Sequence, residues 1–251
     1  MSVRLIVCGS AGTHPGPGRV CSSYLVTADG TDLLLDAGNG SLANLQTVRD
    51  VADLDAVVLS HLHPDHCADM YGLYYARRFH RREQPPLPVH APAGAADRLA
   101  ALLADDGPDA FNPWCAFVDL TAGDAFAVGG LDVAAFRVRH PGTAFGVRVA
   151  AGGRVLAYTG DAALTAELVA AVAGADLLVA DATWLERDRP LLSGIHMTGL
   201  EAGRLAAQAR VGRLLVTHVK PSNDPAEVAA EAARAFDGQI IVAADRMELT
   251  L

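Results

Sequence analysis

Short apolar runs, cut by glycine, proline and polar turns, fill the first third of the chain and predict a sheet. Residues 3–8, 23–27 and 31–36 carry the β-branched and leucine-rich runs expected of strands. Leu33-Leu34-Leu35 stops at Asp36, and Ala37-Gly38-Asn39-Gly40 turns into a helix near 41–49. Ala56-Val57-Val58-Leu59-Ser60 reads as a buried strand. Between Cys67 and His80 the pattern becomes helical, with helix-compatible Met70, Leu73, Tyr74 and Phe79, until Gln84-Pro85-Pro86-Leu87-Pro88 breaks it. A helix over about 94–104 precedes a loop-like stretch from Asp105 to Pro113, which reads as a mobile pocket edge. Strands return at 116–118, 131–139, 145–150 and 155–159. The last third alternates helices near 165–173, 198–210 and 225–236 with strands near 176–181, 213–217 and 239–243. Two strand-rich halves, each closed by helices, predict two sheets packed face to face with helices outside.

Composition narrows the class. With 251 residues and 51% hydrophobic content, the chain can bury a large core, and one domain over 1–251 is expected. No apolar span of about 18 residues occurs, and Met1-Ser2-Val3-Arg4 runs into a strand without a signal-peptide pattern, so a soluble cytoplasmic protein is expected. Cys8, Cys21, Cys67 and Cys115 lack C-x-x-C spacing, which argues against a disulfide framework or a thiolate metal site. A net charge of −9 argues against an extended nucleic-acid surface. Arg77, Arg78, Arg81 and Arg82 fall at helical spacings where like charges repel, and read as a solvated face in preference to an anion site.

The chemistry concentrates at His61-Leu62-His63-Pro64-Asp65-His66, directly after the buried strand. Three histidines and an aspartate on one strand-to-helix turn would strand polar groups at the edge of an apolar core unless they had partners. Histidine with carboxylate is a donor set that suits zinc and its neighbours, and one turn can aim alternate side chains at two metals. His61 and His63 share one face of the turn, Asp65 and His66 the next. Further donors stand at later strand ends: His140 after Phe136-Arg137-Val138-Arg139, Asp161 after Leu156-Ala157-Tyr158-Thr159-Gly160, and His218 after Leu214-Leu215-Val216-Thr217. Asp36 can orient a ligand histidine or serve as a helix-entry residue. The loop Gly9 to Gly18 lacks the Gly-Lys-Ser/Thr ending of a phosphate-binding loop, and its His14 reads as a surface residue.

Asp36, His61, His63, Asp65, His66, His140, Asp161 and His218, in that order and at those spacings, resemble the metallo-β-lactamase-fold hydrolases. The resemblance implies an α/β fold, an αββα sandwich of two mixed β-sheets flanked by helices. It also implies two divalent metal ions, Zn2+ foremost with Mn2+ or Fe2+ as alternatives. His61, His63 and His140 would hold one ion, Asp65, His66 and His218 the other, and Asp161 would bridge them. Ala180-Asp181-Ala182-Thr183-Trp184 with Gly194-Ile195-His196-Met197-Thr198 is similar to the Glu-Ala-Thr and His-x-Thr pair of the phosphodiesterase and tRNA 3′-processing branch. Asp181 stands where the processing enzymes carry glutamate, a methylene longer. No long insertion separates His140 from Asp161, where a tRNA-gripping arm is expected. The stretches Ser60 to Met70 and Cys21-Ser22-Ser23-Tyr24-Leu25 are similar to actinobacterial cyclic-nucleotide phosphodiesterases of this fold.

These likenesses imply hydrolysis of 3′,5′-cyclic nucleotides, with Asp65, His196 and Asp181 in catalytic roles, a small phosphodiester as substrate and a homodimer as the assembly. His196 would protonate the leaving oxygen or steady phosphoryl charge, and Asp181 would set its tautomer. His196 can equally be a hydrogen-bonded residue at a helix start near Thr198. Three other functions stay open: a tRNA 3′ endonuclease or other RNA phosphodiesterase, a lactone, thioester or lactam hydrolase, and a non-enzymatic metal-dependent sensor.

Overall fold

The computed structural model describes residues 2–103, 107, 109–191 and 194–251. Two seven-stranded sheets dominate it. The first contains β1 (Arg4–Gly9), β2 (Ser23–Ala28), β3 (Thr31–Leu35), β4 (Ala56–Val58), β5 (Leu87–Ala91) and β6 (Cys115–Asp119). The second contains β7 (Ala125–Val128), β8 (Leu131–Arg137), β9 (Phe145–Ala151), β10 (Arg154–Tyr158), β11 (Leu177–Asp181), β12 (Arg213–Thr217) and β13 (Gln239–Val242). The last strand, β14 (Glu248–Thr250), returns to pair antiparallel with β1, giving the order β14-β1-β2-β3-β4-β5-β6. The other sheet runs β13-β12-β11-β10-β9-β8-β7. Each sheet has an antiparallel half and a parallel half: β3 to β6 in one, β10 to β13 in the other.

Period-two alternation explains why strands buried on both faces still pack in layers. In β1, Leu5 and Val7 face the second sheet, where they join Tyr24, Val58, Val147 and Leu156. Ile6 and Cys8 point the other way, into a layer with Met70, Leu73 and Tyr74 of the helix Met70–Arg78. On the far side, Leu178, Ala180 and Val216 meet Leu205 and Ala206 of the helix Gly199–Gln208. Thr198 and Glu201 start that helix with a reciprocal capping box. The result is helix, sheet, sheet, helix. Among the described residues, no helix is long and apolar enough to cross a membrane.

Several expectations from sequence need correction. Arg77 is not on a solvated face: it is 3% exposed. Its guanidinium donates to the carbonyls of Val51, Pro85 and Trp114, at 3.1, 2.7 and 3.3 Å. It ties the helix to three neighbouring segments, which is how a buried cation is made tolerable. The helix ends at Arg78, well before the proline-rich stretch, which instead begins strand β5, whose Leu87 and Val89 are buried. Strands β7 and β14 are short edge elements that periodicity passed over. The helix expected over 41–49 is confined to Ser41–Leu45. Within Asp105 to Pro113, residues 105–106 and 108 lie outside the described residues, and Phe111 is buried against Tyr74, so that stretch is in part core.

Candidate metal centre

Parallel strands deliver their C-terminal ends to one rim, and every donor named from sequence stands there or on the turn that follows. Asp36 follows β3, and His61 follows β4 by three residues. His140 follows β8, Asp161 follows β10, Asp181 ends β11, and His218 follows β12. The turn after β4 becomes a single helical turn, Pro64–Cys67, with proline at its first position. Asp36 and His218 both adopt left-handed backbone, at φ 59° and 56°. Such strain in non-glycine residues persists where the surroundings over-determine it.

Three groups of donor atoms converge and all include Asp161; one of them, Asp161, Asp181, His196 and His218, adjoins two clusters built on the turn after β4. His61, His63, His140 and Asp161 form one; Asp65, His66, His218 and Asp161 form the other. Within each, the ligand atoms lie within 4.8 Å of one another. Asp161 divides its carboxylate between them. Oδ1 lies 3.0 Å from His66 Nε2 and 3.1 Å from His218 Nε2, while Oδ2 lies 3.6 Å from His61 Nε2 and 3.9 Å from His140 Nε2. Gly160 permits this placement: at φ 56° a Cβ there would meet the Phe145 carbonyl at 2.9 Å and Ser60 at 3.0 Å.

Hydrogen bonds behind the histidines fix which nitrogen faces inward. His66 Nδ1 donates to Asp36 Oδ2 at 2.7 Å. Ser60 spends its hydroxyl proton on the same oxygen at 2.7 Å, so at 3.0 Å it must accept from His61 Nδ1. The same arrangement recurs on the second sheet. His196 Nδ1 donates to Asp181 Oδ2 at 2.9 Å. Thr183 donates its hydroxyl proton to Asp181 Oδ1 at 2.6 Å and accepts from His218 Nδ1 at 2.7 Å. His140 Nδ1 donates to the Ile195 carbonyl at 3.0 Å. Lone pairs are thereby left on Nε2 of His61, His66, His140 and His218, all turned to the centre.

These residues fit divalent cations. His66 Nε2 and His218 Nε2 stand 3.1 Å apart with lone pairs opposed, and His140 Nε2 stands 3.2 Å from His63 Nδ1. His61 Nε2 and Asp161 Oδ1 are buried with no hydrogen-bond partner. Buried polar atoms in that condition are costly unless a cation satisfies them. Electrostatics agrees. Burial disfavours a charged His218, yet Asp161, Asp181 and Asp65 outweigh it and raise its pKa to about 10. His66 is likewise held well above the ordinary imidazole range, against its own burial, by Asp161 and Asp36. His61 goes the other way: burial first, and His66 next, push it well below.

His196 joins the third group, part-buried, with Nδ1 3.8 Å from Asp161 Oδ2 and its ring centroid 5.1 Å from that of His140 and 5.4 Å from that of His218. Burial would lower its pKa, but Asp181 raises it above the ordinary value. Ser60, Tyr158 and Thr13 also serve the site without having been singled out from sequence, and Thr183 serves it from within its quoted motif. Tyr158 donates to Asp36 at 2.6 Å, and the Thr13 amide donates to Asp65 Oδ2 at 2.8 Å. The one advance signal for Thr13 was its glycine-rich loop. Gly12 lets that loop press on His218, where a Cβ would meet the histidine's carbonyl at 2.3 Å. His14 of the same loop is exposed.

A cavity of about 250 Å³ opens beside the first cluster, bounded by His61, His63, Pro92, Arg98, Pro141 and Thr143. A larger one, about 500 Å³ and bounded by Asp32, Arg49 and Arg77, lies at the N-terminal ends of β3 and β5, remote from the donors.

Comparison with known proteins agrees with this architecture. Residues 31–219 match the beta-lactamase superfamily domain. The uncharacterized protein ML1173 of Mycobacterium leprae is 38% identical, over 96% of this chain and 86% of its own. A ribonuclease Z of Bradyrhizobium sp. is 30% identical, over 92% of this chain and 94% of its own. The crystal structure of the metallo-beta-lactamase fold protein YhfI from Bacillus subtilis superposes with a TM-score of 0.90 at 26% identity, covering 100% of this chain and 99% of that one. The chain belongs to the beta-lactamase superfamily and has the fold of its metal-dependent hydrolases.

Proposed function

We propose that this protein is a dinuclear metal-dependent phosphodiesterase that opens 3′,5′-cyclic nucleotides to 5′-nucleotides. The observation that carries the reading is the pair of buried donor clusters joined through Asp161, with the Asp181–His196 pair at their edge. In this reading His61, His63 and His140 would hold one ion and Asp65, His66 and His218 the other, with the Asp161 carboxylate available to both. Zinc suits the set best, with manganese or iron also compatible. Two such ions supply the Lewis acidity that lets water attack a phosphodiester near neutral pH.

The chain's own residues do the rest. Asp36 and Asp181 hold the imidazoles in the tautomer that presents Nε2. The Thr13 amide keeps Asp65 turned toward His218. His196, protonated and steadied by Asp181, gives its proton to the departing 3′-oxygen. A small substrate suits the 250 Å³ cavity and the net charge of −9.

A second reading, an RNA phosphodiesterase, draws on the relative named ribonuclease Z. Against it, the segment between His140 and Asp161 is filled by the hairpin of β9 and β10, which leaves no arm to grip a folded RNA. Incubating the zinc-loaded protein with cyclic AMP decides between them: the proposal expects 5′-AMP. Intact cyclic AMP beside a cleaved precursor tRNA would establish the second reading instead.

A further inference from the structure

Beyond the 250 Å³ cavity lies a second one of about 190 Å³, narrow and apolar. Leu62, Cys67, Tyr71, Leu99 and Leu102 bound it, and the Tyr71 hydroxyl is pinned to the Leu99 carbonyl at 2.9 Å. Arg98, on the helix Ala95–Ala100, borders both cavities. It is exposed, and among the described residues no ion pair or hydrogen bond engages its guanidinium. Several other arginines are engaged: Arg77 by three carbonyls, Arg82 by Asp50 and Asp53, Arg187 by Glu227, and Arg189 by Glu186 and Glu201.

An uncommitted guanidinium between a donor-lined cavity and an apolar slot calls for a particular ligand. The fork of N–H groups matches two oxygens of a phosphate, a geometry that an ammonium does not reproduce. The slot, walled by leucines and a tyrosine ring, suits a flat apolar group and offers little to a sugar or a second charge. Resting on the proposed phosphodiesterase reading, we infer that Arg98 clamps the substrate's phosphate on the side away from the donor clusters, while the Leu62–Tyr71–Leu102 slot seats its ring. The substrate class is thereby a small phosphodiester bearing an aromatic group. Neither cavity accommodates a polynucleotide stem.

A clamp that grips ground state and transition state alike changes KM and leaves kcat. Zinc-loaded wild type, Arg98→Ala, Arg98→Lys and Leu102→Asp are assayed on cyclic AMP and bis-p-nitrophenyl phosphate. Equilibrium binding of 5′-AMP and metal content are measured on the same samples. Arg98→Ala is expected to raise KM and the Kd for 5′-AMP by about 10-fold or more, the worth of a charge-assisted hydrogen bond, with kcat and metal content retained. Arg98→Lys recovers only part of this, and Leu102→Asp raises KM by introducing charge into the slot. Unchanged KM and Kd in Arg98→Ala, with an active wild type, overturn the clamp and leave the phosphodiesterase reading standing. A wild type inactive on both diesters overturns that reading and the clamp with it. Activity on the aryl diester without cyclic AMP hydrolysis overturns the cyclic-nucleotide assignment alone, and the aryl-diester KM then decides the clamp.

Discussion

Asp36 and Asp181 are two buried carboxylates built on the same plan and set to different tasks. Each holds one histidine directly and a second through a hydroxyl: His66 and His61 by way of Ser60 for Asp36, His196 and His218 by way of Thr183 for Asp181. Both of the imidazoles behind Asp36 belong to the donor clusters. Behind Asp181, His218 belongs to the second cluster, while His196 enters only the third group, with Asp161, Asp181 and His218. The lesson is that one orienting device can serve ligand geometry at one end of a site and proton delivery at the other. The position of the imidazole it holds, and not the carboxylate itself, decides which.

The largest effect expected comes from neither carboxylate but from the one between them. Asp161→Ala removes the oxygen that each cluster shares, and turnover should fall by about 10³-fold or more, the several kcal/mol of charge stabilisation that the ions supply. Steady-state kinetics checks this. His196→Ala should lower kcat by about 10²- to 10⁴-fold, the usual range for a lost general acid, with metal content retained. Loss of metal in that variant would place His196 among the ligands and erase the contrast drawn above.

Asp36→Asn tests the other end. An asparagine whose oxygen faces Ser60, His66 and Tyr158 turns its NH2 onto the Ser60 amide, which donates to Asp36 Oδ1 at 2.6 Å. The flipped amide turns NH2 onto the other three donors, so the imidazoles lose their fixed tautomer. Metal affinity should drop by about 10- to 100-fold, read by competition with a chelating dye. In Asp181→Asn the same titration should move less than the kcat does. Smallest of all are the hydroxyl relays. Ser60→Ala and Thr183→Val each remove a hydroxyl that donates one buried hydrogen bond and accepts another, each bond worth about 1 kcal/mol. Ser60→Ala should act on metal affinity alone, whereas Thr183→Val should weaken metal binding and slow turnover together.

Much of this was legible in the chain. His61 to His66 announced itself because polar groups at the end of a buried strand need partners, and Asp161, His140 and His218 were legible because each closes an apolar run. Asp36 was left between two roles by sequence; its bonds to His66, Ser60 and Tyr158 are long-range, spanning both sheets, and no local pattern encodes them. Thr13 was hidden for the same reason, as its contact with Asp65 is made by a backbone amide, which any residue carries. Arg77 misled because helical spacing reports which residues share a face and not what lies opposite that face. Strand β5 was obscured by Pro88, whose missing N–H argues against a strand interior although the position is accommodated there.

Metal analysis of zinc-loaded wild-type protein beside Asp161→Ala tests the shared-carboxylate centre most directly. The account predicts two ions per wild-type chain and loss of at least one from the variant. A single ion in the wild type, or two retained without Asp161, would contradict it.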